Sequence, residues 1–216
     1  TGVSATDNCT GAVVTMSPAS ATAFSIGATT VTATATDASG NVITKTFTVT
    51  VLDTVKPVIP AQAATIALNA SGQASLTLAQ VLTSVGITDN CGLDTAFLSK
   101  TSFACADLGA NTVTVTATDV NGNTRTRSVV VTVVDNTLPV VVTKAATLYL
   151  NASGAATLAA ASVNNGTTDN CAVSSYSLSK STFNCSNVGA NTVTLSATDA
   201  SGNVGTATAV VTVLDT

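Results

Sequence analysis

The chain has 216 residues, 45% of them hydrophobic and only 8% charged, with a formal net charge of -4 and no histidine. Its seven basic residues form no cluster, which argues against a nucleic-acid surface, and no apolar run reaches the roughly 18 residues of a membrane-spanning helix. With aromatics at 3% and no tryptophan, the core must be built from Val, Ala, Leu and Ile.

All eleven acidic residues are aspartate, and nine of them fall in three columns that recur every 80 to 82 residues. Asp7, Asp89 and Asp169 each lie in a Thr-Asp-Asn-Cys tetrad. Asp37, Asp119 and Asp199 each close a Thr- and Ala-rich run and precede Gly and Asn. Asp53, Asp135 and Asp215 each end a Val-rich run. Such self-similarity marks an array of units. The expected division is a partial repeat over 1–53, matching only the later half of a unit, followed by complete repeats over 54–135 and 136–216.

In chain order, the first segment carries a Thr/Val/Ala alternation up to Asp37, a turn at Asp37–Asn41 and a strand-like run into the linker Val51–Pro57. The second unit opens with strands near Thr65–Asn69 and Ala74–Leu78 around Ala-Ser-Gly, and one helical turn is expected at 79–85. Strands near Leu93–Ser99 and Ser102–Cys105 follow a loop that holds Asp89, Asn90 and Cys91. Thr112–Thr118 alternates Val or Ala with Thr, and Arg125–Val134 is also strand-like, with Val129, Val131 and Val133 pointing one way, so the turn Asp119–Asn123 closes a hairpin in which Gly122 supplies positive φ. The third unit repeats this plan, with Thr147–Asn151, Ala155–Leu158 and the turn Asp199–Asn203. Pro57 and Pro139 stiffen the two linkers. About seven short strands per unit predict an all-β chain of tandem immunoglobulin-like β-sandwich repeats, about 80 residues each and joined end to end.

Two consequences concern chemistry. Cys91 and Cys105, like Cys171 and Cys185, are 14 residues apart, so the expected bridges are Cys91–Cys105 and Cys171–Cys185, formed in an oxidising compartment. Cys9 has Ala23 in its partner column. The sandwich topology brings the linker, the second–third strand loop and the last hairpin turn to one end. Asp53, Asp89 and Asp119 should therefore converge at one joint, and Asp135, Asp169 and Asp199 at the next. Convergent carboxylates suit Ca2+, with Asn90, Asn123, Asn136, Asn170 and Asn203 as further oxygen donors. Asp7, Asp37 and Asp215 would complete sites shared with neighbouring repeats. The other reading is turn chemistry alone, although the linker aspartates carry no turn motif. Without His or Glu, and with no polar cluster unique to one repeat, no enzyme is expected. Arg125, Arg127, Lys100 and Lys180 read as solvated charges. Asn-x-Ser/Thr sequons occur at Asn8, Asn69, Asn151, Asn165 and Asn184.

The tetrad, the run Val188–Asn203 and the Val-rich strand ending in Asp215-Thr216 resemble the hyalin-repeat (HYR) family, and Phe24–Asp37 carries the resemblance furthest. The family's second cysteine often lies in the last strand, near the places of Lys45 and Arg127; here it lies earlier. The resemblance implies immunoglobulin-like modules of extracellular proteins linked with adhesion. Long Thr/Val/Asp-rich arrays also look like the giant surface adhesins of Bacteroidota, such as the gliding-motility protein SprB and other cargo of type IX secretion. Asp53-Thr54-Val55 and Asp94-Thr95-Ala96 match that phylum's short O-glycosylation motif. The expected role is a structural stalk at the bacterial cell surface, with Ca2+ at the joints and neighbouring repeats, or other copies in a filament, as partners. The alternatives are a module binding a glycan or protein ligand of unknown identity, and a self-assembling filament subunit.

Overall fold

The computed structural model describes residues 2–19 and 22–215. Positions 1 and 216, the outer bounds expected for the first and third units, and positions 20 and 21 lie outside the described residues. Strands β1 (Val13–Ser17), β2 (Gly27–Thr36) and β3 (Val42–Val51) form one antiparallel three-stranded sheet. Next come β4 (Ala64–Ala67), β5 (Gln73–Ser75), β6 (Leu93–Leu98), β7 (Ser102–Ala104), β8 (Gly109–Asp119) and β9 (Thr124–Val134). They make a four-stranded sheet in the order β4-β9-β8-β6, with β5 and β7 pairing as a second, smaller sheet. Strands β10 (Ala146–Tyr149), β11 (Ala155–Thr157), β12 (Val173–Leu178), β13 (Thr182–Asn184), β14 (Gly189–Asp199) and β15 (Val204–Leu214) repeat that arrangement, as β10-β15-β14-β12 and β11-β13. The fold is therefore all-β and immunoglobulin-like, with six named strands in each of the two later groups. The expected helical turn is a 3-10 turn at Leu78–Val81, and its counterpart is the short helix α1 (Ala160–Val163).

Alternation explains the packing. In β8 the even positions from 112 to 118 are Thr, while Val113, Val115 and Ala117 point inward and are buried; in β9, Val129, Val131 and Val133 do the same. Phe103 is the one aromatic of this core, joined by Ile59, Ile66, Leu68, Leu76 and Val81. Phe183 takes its place in the third unit, beside Leu195, Val193, Val211 and Val213. The parity that fills the core also aims the carboxylates. Asp119 follows Val113, Val115 and Ala117 in register, and Asp135 follows Val129, Val131 and Val133, so each acid ends an inward-facing column. Asp119, Asp135 and Asp199 are accordingly only 1%, 5% and 3% exposed.

The first sheet has no partner sheet among the described residues. Val31 and Ala33 are buried, but Val13, Val42, Ile43 and Phe47 remain exposed. A single sheet of this kind leaves one apolar face without a partner layer.

Two side chains depart from expectation. Arg127 is not simply solvated, since its Nη1 donates to the Ile59 carbonyl at 3.1 Å and ties β9 to the linker. Lys100 is not simply solvated either: it pairs with Asp107 and lies 4.8 Å from the Phe103 ring centroid. That ammonium, ahead of the Ala104 backbone N–H, holds the Asp107 carboxyl below its ordinary pKa. In the third unit Asn187 replaces Asp107, and Lys180 keeps only its place over Phe183, 5.0 Å from the centroid.

The third unit attaches differently from the second. At the position matching Arg125 it has Gly205, and a Cβ there would lie 2.0 Å from the Pro139 carbonyl oxygen. Gly205→Ala must displace backbone, and we expect it to destabilise the chain by about 1–3 kcal/mol in denaturant unfolding. Thr206→Ala, exposed on the next position, should leave the midpoint nearly unchanged.

Candidate metal-binding joints

The structure brings Asp53, Asp89 and Asp119 together at one joint and Asp135, Asp169 and Asp199 at the next, each set offering carboxylate oxygens within 4.8 Å of one another. Three elements supply each set: the linker, the loop before β6 or β12, and the end of β8 or β14.

Local hydrogen bonds fix each carboxylate by one oxygen. Asp53 Oδ1 accepts the Val55 N–H at 3.0 Å, and Asp135 Oδ1 accepts that of Thr137 at 3.0 Å. The linker aspartates thus do carry turn chemistry, contrary to the sequence expectation, through an Asx turn that a non-repetitive linker sequence hides. Asp89 Oδ1 accepts the Cys91 N–H at 2.9 Å, and Asp169 Oδ2 accepts that of Cys171 at 2.9 Å. In every case the second oxygen, Asp53 Oδ2, Asp89 Oδ2, Asp135 Oδ2 or Asp169 Oδ1, is buried with no hydrogen-bond partner. Asn170 Oδ1 is buried and unpartnered as well. Buried acceptors without donors are costly, and five facing two clusters of negative charge ask for a cation. Among the described residues the ion pair found is Lys100–Asp107, so no basic side chain supplies it.

Asp119 and Asp199 are different. Asp119 Oδ1 accepts the N–H groups of Asn121 and Asn123, and its Oδ2 accepts the Asn123 amide at 2.8 Å. Asn123 Nδ2 also reaches the Asp53 carbonyl at 3.1 Å, and Asn203 repeats both contacts with Asp199 and the Asp135 carbonyl. Both amides therefore turn nitrogen toward the linker carbonyl and the neighbouring carboxylate and brace the joint. Asn90 donates to Asp53 Oδ1 at 3.3 Å, and Asn170 to Asp135 Oδ1 at 3.1 Å. Asn136 makes no side-chain hydrogen bond here and lines a surface pocket with Asp135 and Asn203.

Burial works against ionisation of Asp119 and Asp199, but the Asn side-chain and backbone donors outweigh it and hold both below the ordinary carboxylate pKa. Asp53 is lowered too, first by the Val55 N–H. The Cys91 thiol moves upward, through burial and then the neighbouring Asp53, Asp89 and Asp119, which keeps it a thiol at neutral pH.

The disulfide corrects the sequence reading. The bond is Cys105–Cys171, with Cα atoms 5.4 Å apart, and neither Cys91–Cys105 nor Cys171–Cys185 forms. The reason is geometric. Cys91 lies beside the end of β8, where Leu93 faces Asp119, whereas Cys105 precedes Gly109 at its start. At about 3.4 Å per residue β8 spans roughly 34 Å, far beyond the reach of a disulfide. Cys105 instead meets the Asn170–Cys171 loop of the following unit. That loop rests on the Asn69–Gly72 turn: Asn170 Nδ2 donates to the Asn69 carbonyl at 3.2 Å, and a Cβ on Gly72 would lie 2.6 Å from both Asn170 O and Cys105 Sγ. At the first joint Ala23 stands in the Cys105 column, so Cys91 has no sulfur to meet.

Residues 1–51 match the model of the HYR domain family. No curated protein matches the chain. Solved structures similar to it include protocadherin gamma B7 extracellular cadherin domains 1–4, at 14% identity and TM-score 0.36, covering 88% of this chain and 58% of that one. Mouse cadherin-23 EC22–24 gives 17% identity and TM-score 0.39 over 97% of this chain and 89% of that one. Drosophila N-cadherin EC1–4 gives 14% identity and TM-score 0.40 over 88% of this chain and 59% of that one.

Cleavage after Lys and Arg places Cys91, Cys105, Cys171 and Cys185 on four different peptides. Non-reducing mass mapping should recover the 101–125 and 145–180 peptides joined, and joined 46–100 and 101–125 peptides would refute the assignment. Closing this loop of 66 residues should contribute about 4 kcal/mol, lost on reduction. A second expectation concerns acid. Because Asp119 and Asp199 titrate below their unfolded values, their contribution is present above the ordinary carboxylate pKa and disappears as pH falls through the depressed values. Melts in chelator at descending pH should lose stability in that window, less steeply in Asp119→Asn and Asp199→Asn.

Proposed function

We propose that the chain is a stalk segment of an extracellular adhesion protein, in which Ca2+ at each joint turns linked sandwiches into a rod. The units are 54–135 and 136–216, preceded by the partial unit 1–53. The observation that carries the reading is the set of buried, unpartnered oxygens, Asp53 Oδ2, Asp89 Oδ2, Asp135 Oδ2, Asp169 Oδ1 and Asn170 Oδ1, at the two joints. Calcium holds oxygens at about 2.4 Å, so its ligands lie at most about 4.8 Å apart. The carboxylate clusters, within 4.8 Å, satisfy that limit. Asp53, Asp89 and Asp119 would ligate at the first joint, and Asp135, Asp169 and Asp199, with Asn170 Oδ1, at the second. Calcium also accepts the irregular, loop-borne geometry that magnesium tolerates poorly.

A cation held by residues from two units stiffens the joint between them, and repetition extends the rod. The HYR match over 1–51 supports an extracellular, adhesive setting, and an absence of catalytic constellations supports a non-enzymatic role. The Thr/Val/Asp-rich composition is the ground for placing the parent protein at a bacterial cell surface, as a SprB-like adhesin of a gliding, type IX-secreting organism. The chain spans 58% of the protocadherin gamma B7 chain it resembles, and its ligand and parent are part of the proposal.

Thermal melts of the full chain in calcium and in excess chelator test the reading. At calcium a hundredfold above Kd the midpoint should rise on the order of 10 °C. Asp135→Ala and Asp53→Ala should each remove part of that rise. Superimposable melts would sink the calcium stalk and leave the carboxylates to their turns.

A further inference from the structure

Each complete repeat carries half of the clasp that joins it to a following one. In the second unit that half is the Asn69–Gly72 turn with Cys105, and it holds the Asn170–Cys171 loop. The third unit builds the same corner. Asn151 Oδ1 accepts the Ser153 and Ala155 N–H groups at 2.9 and 3.0 Å, as Asn69 Oδ1 accepts those of Ser71 and Gln73 at 2.9 and 3.0 Å. Gly154 sits at φ +68°, matching Gly72 at +69°, and a Cβ there would lie 2.7 Å from Cys185 Sγ. Cys185 Sγ is 3.9 Å from the Gly154 carbonyl, against 3.7 Å for Cys105 and Gly72. Cys185 is exposed and carries a free thiol. What identifies the ligand of this corner is the occupant of its twin one repeat earlier, not the thiol itself.

The first segment carries the matching loop. Asp7 Oδ2 accepts the Cys9 N–H at 3.2 Å, the contact Asp169 Oδ2 makes with Cys171 at 2.9 Å. Cys9 is exposed and free. We propose that the Asn151–Gly154 turn and Cys185 form a socket for a Thr-Asp-Asn-Cys loop, closed by a disulfide to Cys185, and that the Thr6–Cys9 loop of a second copy fits this socket in trans. Asn8 would take the part of Asn170, donating to the Asn151 carbonyl. The bond needs an oxidant of the disulfide class. The Cys185 thiolate attacks oxidised glutathione and releases one glutathione, and the Cys9 thiolate then displaces the second; the two protons lost leave on the two reduced glutathiones. The socket needs no cation, although the calcium reading would add Asp215 of one copy to Asp7 and Asp37 of the next.

The test uses two full chains. One carries Cys9→Ser and Cys91→Ser and keeps Cys185; the other carries Cys91→Ser and Cys185→Ser and keeps Cys9. Mixed with oxidised glutathione, they should give the heterodimer at least about tenfold faster than either homodimer, because docking raises the effective concentration of the paired thiols. Asn8→Ala, on an exposed loop, should abolish that preference while Cys9 is glutathionylated as before. Heterodimer no faster than homodimers, or glutathione-capped monomers alone, would overturn the proposal. Repeating the reaction in chelator separates it from the calcium reading. A preference that survives stands on the socket, and one that appears only in calcium overturns the socket and assigns the pairing to the shared carboxylates.

Discussion

The joints depend on a division of labour within single carboxylates. One oxygen of Asp53, Asp89, Asp135 and Asp169 is spent on a backbone N–H two residues ahead, and the other is buried without a donor. Asp suits this better than Glu, because a short side chain that has closed an Asx turn cannot swing away. The turn therefore aims the free oxygen. Turn formation and the proposed calcium, which compete as explanations at the level of sequence, are compatible in this geometry.

Strand parity supplies the rest of the aim. A column of inward-facing Val and Ala ends in Asp119 or Asp199, and another ends in Asp135, so the alternation that fills the core delivers charge to its rim. A one-residue slip in β8 would expose Val113, Val115 and Ala117 and turn Asp119 away from the joint at the same time. Core packing and site geometry are thus specified by the same register, and a mispaired strand would lose both.

Much of this was legible in the sequence for physical reasons. Two-residue alternation marked the long strands of each unit, and Asp-x-x-Gly-Asn marked the turn between them. The carboxylate columns were visible because they recur. The disulfide was not, because the spacing of 14 occurs twice and points within each repeat, whereas the bonded spacing of 66 occurs once, its upstream equivalent having lost a sulfur to Ala23. Only the height of the sandwich decides between them. The bracing role of Asn123 and Asn203 was hidden for a related reason: residue type offers both an oxygen and a nitrogen, and the linker carbonyls of Asp53 and Asp135 that lie opposite orient the nitrogen. The Arg127 contact to Ile59 was hidden because a long side chain reaches past its neighbours to a backbone acceptor 68 positions away.

The staggered clasp has a consequence for how such an array changes length. Had each bridge closed within a repeat, a unit would be chemically self-contained. Here Cys105 belongs to one unit and its partner Cys171 to the next. Unequal recombination that deletes or duplicates one whole period splices equivalent positions, and deletion of 54–135 would set Cys171 against the Ala23 column, which has no sulfur to offer. A breakpoint at any other phase disrupts the sandwich itself. Replacement of one sulfur, as at Ala23, affects a single joint and spares the rest. On the proposed stalk reading, length changes in whole periods, while each joint gains or loses its bridge separately.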